Sequence, residues 1–163
     1  MIRIVIQEDQ QLLRETMSSL LNLENDMEVV GQASGIQDSQ TLIQHLKPDL
    51  FIMDIEMLER DGPLEALKEE GCHLLILTTF RKNGYIELVQ QAGAKGYMLK
   101  DSPSEELTSS IRSIVEGEQV YSPKLMKEDE ETQESDSYHI PHPPGQVKTY
   151  FTMIMDKMKL PTG

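Results

Sequence analysis

The chain has 163 residues, room for one domain of ordinary size and an appendage, and a second full domain would be cramped. Its formal charge of −13 argues against a general polyanion binder, because affinity for a phosphate backbone comes from clustered Lys and Arg. A single cysteine, Cys72, excludes an internal disulfide and a cysteine zinc site, and suits a reducing cytoplasm.

The first apolar run, Ile2, Ile4, Val5 and Ile6, is interrupted by Arg3 and stopped by Glu8 and Asp9. That is too short for an export signal or a membrane span, so the sequence predicts a soluble, cytoplasmic chain. Such runs recur at 3–7, 28–33, 50–53, 74–78 and 96–99, rich in Ile, Val, Leu and Met with little alternation, as expected of strands buried on both faces. Helical stretches lie between them. Leu12, Leu13, Thr16, Leu20 and Leu23 mark the first and Leu42, Ile43 and Leu46 the second. The third is placed at 63–69, opening on Pro63 because a first helical position needs no N–H. The fourth covers 85–92 and stops at Gly93. The fifth follows Ser102-Pro103-Ser104-Glu105-Glu106, a polar cap with early acids, and carries Leu107, Ile111, Ile114 and Val115 as its stripe. Strict βα alternation predicts an α/β fold: a doubly wound, five-stranded parallel sheet of flavodoxin-like order 2-1-3-4-5, with helices on both faces.

This domain is assigned to residues 1–122. The composition then changes: residues 127–136 hold six acids, and Pro141, Pro143, Pro144 and Gly145 follow. Residues 123–145 therefore read as an acidic, Pro-rich linker with too little apolar surface to offset ordering, disordered from 127 onward. Beyond it, Val147, Tyr150, Phe151, Ile154 and Met158 form an apolar stripe on a C-terminal helix, 146–160, of a length that is marginal in isolation. His139 and His142 have a spacing that suits a metal but no further ligands nearby, and His45 and His73 read as surface residues at element ends.

Open α/β sheets place their active sites at the carboxyl ends of the strands. There the first strand presents Glu8-Asp9, the third Asp54 with Glu56 two residues on, the fourth Thr78-Thr79 and the fifth Lys100-Asp101. If strands one and three are neighbours, Glu8, Asp9 and Asp54 converge, and their repulsion calls for a hard divalent cation, with Mg²⁺ the natural candidate. Asp54 can then act as a carboxylate nucleophile toward a phosphoryl group, Lys100 as a mobile point charge and Thr78 as a hydroxyl donor. Each residue alone has an ordinary reading: an Asp after a strand caps a helix, a Lys is solvated, a Thr fills a strand. What points to chemistry is that acid pair, acid, hydroxyl and amine each close a different strand.

The stretches Glu8-Asp9-Gln10-Gln11, Phe51-Ile52-Met53-Asp54-Ile55-Glu56-Met57, Ile76-Leu77-Thr78-Thr79-Phe80 and Ala92-Gly93-Ala94-Lys95-Gly96-Tyr97-Met98-Leu99-Lys100-Asp101 resemble the receiver domain of two-component response regulators of the LuxR/NarL class, close to the DesR-like branch. The resemblance runs from Met1 to about Met126. It implies that Asp54 accepts a phosphoryl group from a sensor histidine kinase. It also implies that Glu8, Asp9 and Asp54, with the Glu56 main-chain carbonyl, hold Mg²⁺, that Lys100 and Thr78 assist, and that Thr78 and Tyr97 form a switch repacking the face of the fourth helix and fifth strand. Two subunits would pair through the first and fifth helices, with Leu23, Leu107, Ile111 and Ile114 as candidate contacts. Regulators of this class control transcription through a four-helix output domain; residues 145–160 resemble its recognition helix and the turn after it, with the other helices missing. Lys148, Lys157 and Lys159 supply too little charge to hold DNA beside an acidic linker, so the implied role is a phosphorylation switch or a competitor of an intact regulator. The second reading keeps DNA contact through the C-terminal helix.

Two features depart from the family pattern. Leu58 stands where a Pro is usual, and the loop and helix after Asp54 are about two residues short. Haloacid-dehalogenase-like phosphatases also place Asp-x-acid after a strand, but their acidic pair comes last in the chain, whereas Glu8-Asp9 comes first here.

Overall fold

A computed structural model describes residues 1–79 and 84–130, with side chains as far as Met126. Strand β1 (Ile2–Gln7) leads through α1 (Gln11–Asn22) to β2 (Met27–Ala33), and α2 (Ile36–Leu46) leads to β3 (Leu50–Asp54). Two short helices follow, α3 (Ile55–Asp61) and α4 (Glu65–Glu69), then β4 (His73–Thr78), α5 (Tyr85–Gln91), β5 (Gly96–Leu99), α6 (Ser104–Val115), β6 (Val120–Tyr121) and α7 (Pro123–Glu130). The sheet order is β2-β1-β3-β4-β5-β6, parallel at every pair. The five expected strands are all present in the expected order, and β6 extends the sheet by one short strand. Among the described residues no helix is long and apolar enough to cross a membrane.

Alternation along the strands divides the core in two. Ile4, Ile6, Ile52, Leu75, Leu77 and Met98 face α1 and α6, while Val5, Phe51, Met53, Ile76, Tyr97 and Leu99 face α2 to α5 and α7. Each such side chain stabilises the fold by about 1.5–3 kcal/mol when fully buried, which is why strands covered on both sides read as unbroken apolar runs.

The helices correct several expectations. In α1 the buried apolar residues are Leu13, Met17 and Leu21, one turn apart, while Leu23 lies past the end of the helix and is 75% exposed. The buried face is thus rotated from the one marked by Leu12, Thr16 and Leu20, of which Leu12 and Leu20 are partly buried at its edge. In α6, Leu107, Ile111 and Ile114 are at most 1% exposed and belong to the core, so they cannot also form an outward contact. Ser102 does not cap this helix, because its Oγ donates back to the Leu99 carbonyl at 2.8 Å.

The helix expected at 63–69 is present as α4, which starts at Glu65 and leaves Pro63 outside it, and an unexpected helix, α3, precedes it at Ile55–Asp61. Gly62 (φ +79°) ends α3 in a conformation open mainly to glycine. Leu58 explains why α3 winds directly off β3: the Leu58 N–H is the one that a helix starting at Ile55 bonds to the Asp54 carbonyl, and a Pro there would remove it. The expected linker begins as α7, whose Leu125 is 3% exposed in the core. The rest of the linker from 131, with His139 and His142, and the C-terminal stretch 146–160 with Lys148, Lys157 and Lys159, lie outside the described residues.

Gly96 allows β5 and α6 to approach closely. A Cβ there would lie 2.5 Å from Leu75 Cδ1 and 2.6 Å from Ile114 Cδ1, both in the core. Gly96→Ala therefore overpacks the sheet and lowers stability by about 1–3 kcal/mol, read as a lower urea midpoint with an unchanged slope.

Candidate functional site

Parallel pairing brings the carboxyl ends of β1, β3, β4 and β5 to one edge. Glu8 follows β1, Asp54 ends β3 beside Leu77 of β4, Thr78 is the next residue of β4, and Lys100 follows β5. The Lys100 N–H donates to the Thr78 carbonyl at 2.7 Å, which holds the turn after β5 against β4.

One oxygen from each of Glu8, Asp9 and Asp54 can be chosen so that all lie within 4.8 Å of one another, with Glu8 and Asp54 buried and Asp9 exposed. The Lys100 ammonium enters this cluster from the end of β5, donating to Glu8 Oε1 at 2.5 Å and to Asp54 Oδ2 at 2.6 Å. The remaining oxygens are also engaged: Glu8 Oε2 accepts from the Gln10 N–H at 3.0 Å, and Asp54 Oδ1 accepts from the Glu56 N–H at 3.0 Å. Asp54 is thus at once the end of β3 and the N-cap of α3. Glu56 stands in the first turn of α3, where carbonyls point along the helix toward its C-terminus, so its main-chain oxygen is aimed away from the three carboxylates.

Burial raises the Glu8 carboxyl to about 7, the nearby Lys100 charge offsetting only part of this, and a hydrogen bond with Asp9 adds to the rise. For Lys100, burial alone would lower the ammonium; Asp54 and then Glu8 more than offset it, so it titrates above its usual range and stays charged. Because the fold prefers protonated Glu8, the folded chain holds a proton that the unfolded chain has released between its ordinary value of 4.5 and about 7. Stability is therefore lost as pH rises through this window, by about 3 kcal/mol once Glu8 is ionised. In EDTA, urea unfolding is expected to show wild type losing about that much more than Glu8→Gln between about pH 4.5 and pH 8; parallel pH profiles would refute it.

Thr78 is fully buried, and Tyr97 is 1% exposed, more deeply buried than a partly covered strand aromatic. The Tyr97 ring meets Tyr121 edge-on, with centroids 6.1 Å apart at 76°, and the Tyr121 hydroxyl donates to the Ala94 carbonyl at 2.8 Å. Glu8, Asp9, Asp54 and Lys100 are brought together as the strand ends suggested, with Thr78 one residue past the register partner of Asp54 and Tyr97 on the inner strand β5. Gln7 was missed. It is 3% exposed, and its side-chain oxygen accepts from the Asp54 main-chain N–H at 3.1 Å. A polar residue closing an otherwise apolar, doubly covered strand was the available signal.

The family model of the response regulator receiver domain matches residues 4–112, a span that contains Gln7, Glu8, Asp9, Asp54, Glu56, Thr78, Tyr97 and Lys100. The chain is 40% identical to the transcriptional regulatory protein DesR of Bacillus subtilis (strain 168), covering 98% of this chain and 92% of that one. That alignment spans 182 positions, more than the 163 residues here, so DesR has residues with no counterpart in this chain. The uncharacterized transcriptional regulatory protein YvfU of the same strain is 46% identical over 77% of this chain, which spans 64% of YvfU. Among solved structures, a LuxR-family DNA-binding response regulator from Staphylococcus aureus has a TM-score of 0.62 at 30% identity, covering 71% of this chain and 99% of that one. With a sheet, a carboxylate cluster and a sequence that all agree, the chain belongs to the response regulator receiver family, among the LuxR/NarL-type two-component regulators.

Proposed function

We propose that the chain is a Mg²⁺-dependent phosphorylation switch in which Asp54 takes a phosphoryl group from a sensor histidine kinase. The observation that carries this reading is the buried Lys100 ammonium held between Glu8 and Asp54, with the Asp9 carboxylate beside them. A cluster of three acids, two of them buried, and one buried amine retains excess negative charge, and its oxygen donors fit a hard divalent cation. Glu8, Asp9 and Asp54 would hold Mg²⁺, and the Glu56 carbonyl joins them only if the first turn of α3 opens. When bound, Mg²⁺ neutralises phosphoryl oxygens and aligns the donor.

The residues of this chain do the rest. An Asp54 carboxylate oxygen attacks phosphorus in line, the new O–P bond forms as the bond to the donor's leaving group breaks, and that group departs with the electron pair. Lys100 transfers its hydrogen bond from Asp54 to a phosphoryl oxygen, and the Thr78 hydroxyl donates to another. Movement of Thr78 gives the Tyr97 ring new neighbours and repacks the face of α5 and β5. The chain catalyses no turnover of other molecules; it only gains and loses its own phosphoryl group.

As for partners, pairing of two subunits through α1 and α6 would rest on exposed Leu23 and its neighbour Leu20, not on the buried stripe of α6. Sedimentation unchanged by phosphorylation would count against it. The switch serves transcription, in the reducing cytoplasm that one cysteine suits. DNA contact through residues 146–160 is the second reading, which a gel shift at low salt separates from the first.

Incubation with acetyl phosphate tests the central reading. Intact mass is expected to rise by one phosphoryl group in Mg²⁺ and to stay unchanged in EDTA; no uptake in Mg²⁺ would end it.

A further inference from the structure

Main-chain pairing between β1 and β3 extends to Ile6 and Ile52 and no further. Past that point no register pair joins the two strands, which leaves a gap in the main-chain ladder just before the acid pair and Asp54. The Gln7 side chain spans this gap. Its Oε1 accepts the Asp54 main-chain N–H at 3.1 Å, where backbone pairing has ended, and its Nε2 donates to the Ser34 carbonyl after β2 at 3.3 Å. One buried amide thus fastens the ends of three strands directly beneath Glu8 and Asp54. Both of its polar ends are used, as burial requires.

None of these bonds involves the Asp54 carboxylate, whose oxygens meet the Glu56 N–H and Lys100. Gln7 therefore acts on the nucleophile through the main chain. We infer that Gln7 is a positioning residue for phosphoryl transfer: by holding the Asp54 amide it sets the distance and direction of the Asp54 carboxylate relative to the acid pair. The inference rests on the reading of Asp54 as the phosphoacceptor. In-line attack is sensitive to such placement, since displacements of about 1 Å can cost rate by orders of magnitude.

Gln7→Met keeps the volume and removes both polar ends. With saturating Mg²⁺, its maximal rate of phosphorylation by acetyl phosphate is expected to fall about tenfold, while the acetyl phosphate concentration giving half that rate stays within about twofold, because Gln7 does not face the donor. Gly96→Ala, destabilised away from the site, should keep the maximal rate within about twofold of wild type. A wild-type maximal rate in Gln7→Met or an equal loss in Gly96→Ala would each overturn the role of Gln7 alone. A wild-type chain that takes up no phosphoryl group removes the phosphoacceptor reading and this inference with it.

Discussion

Asp54→Ala takes up no phosphoryl group from acetyl phosphate in Mg²⁺, whereas wild type gains one, as intact mass would record. The loss is complete because, among the described residues, no other carboxylate combines burial, a Lys100 contact and a place at the end of β3. Glu8 also contacts Lys100 but is tied to the Gln10 N–H at the start of the turn into α1, and Asp9 is exposed. The substitution also has a structural effect, since Asp54 caps α3 through the Glu56 N–H, a contribution of about 1 kcal/mol. Asp54→Asn keeps an oxygen for that cap and separates the two effects: folding is largely retained and uptake is still absent. Phosphoryl uptake by either variant would move the acceptor elsewhere.

Lys100→Met is the second large effect, and it falls on stability as well as chemistry. Lys100 is 4% exposed and neutralises two buried carboxylates, so its loss leaves uncompensated charge where solvent cannot reach. Breaking a buried pair of this kind costs about 3–5 kcal/mol. The loss should be largest near pH 8, where Glu8 is ionised, and smaller near pH 5, where the proton raised to about 7 already relieves the repulsion. Mg²⁺ should restore part of the stability at the higher pH, because a divalent cation among the same oxygens replaces the missing charge. Urea midpoints at both pH values, with and without Mg²⁺, measure all of this. Equal losses at the two pH values would show that Lys100 does not act through Glu8.

The site was legible because its chemistry stands at strand ends. Asp54 and Lys100 are polar residues that follow unbroken apolar runs, and the parallel order of the sheet then forces them together. The helices were less legible. Five aliphatic and Thr positions of α1 form too broad an arc to choose the buried turn, which Met17 in fact shares with Leu13 and Leu21. Around Pro63 the sequence offered one helix start, but Gly62 ends an earlier helix that Leu58 had made possible. β6 is too short for any periodicity, and Leu125 sits among charges that mask its apolar role. Gln7 escaped because amide side chains commonly sit where a strand meets solvent, and only the end of pairing between β1 and β3 gives this one a buried partner.

The capping of α3 by Asp54 ties chemistry to architecture within one functional group. Phosphorylating either oxygen of that carboxyl, to give an acyl phosphate, would weaken the acceptor that secures the first turn of the neighbouring helix. The event would therefore reach α3 without any relay of side chains, and fraying of that turn would free the Glu56 carbonyl from its alignment along the helix. Modification of a residue that both ends a strand and starts a helix would act on both elements at once.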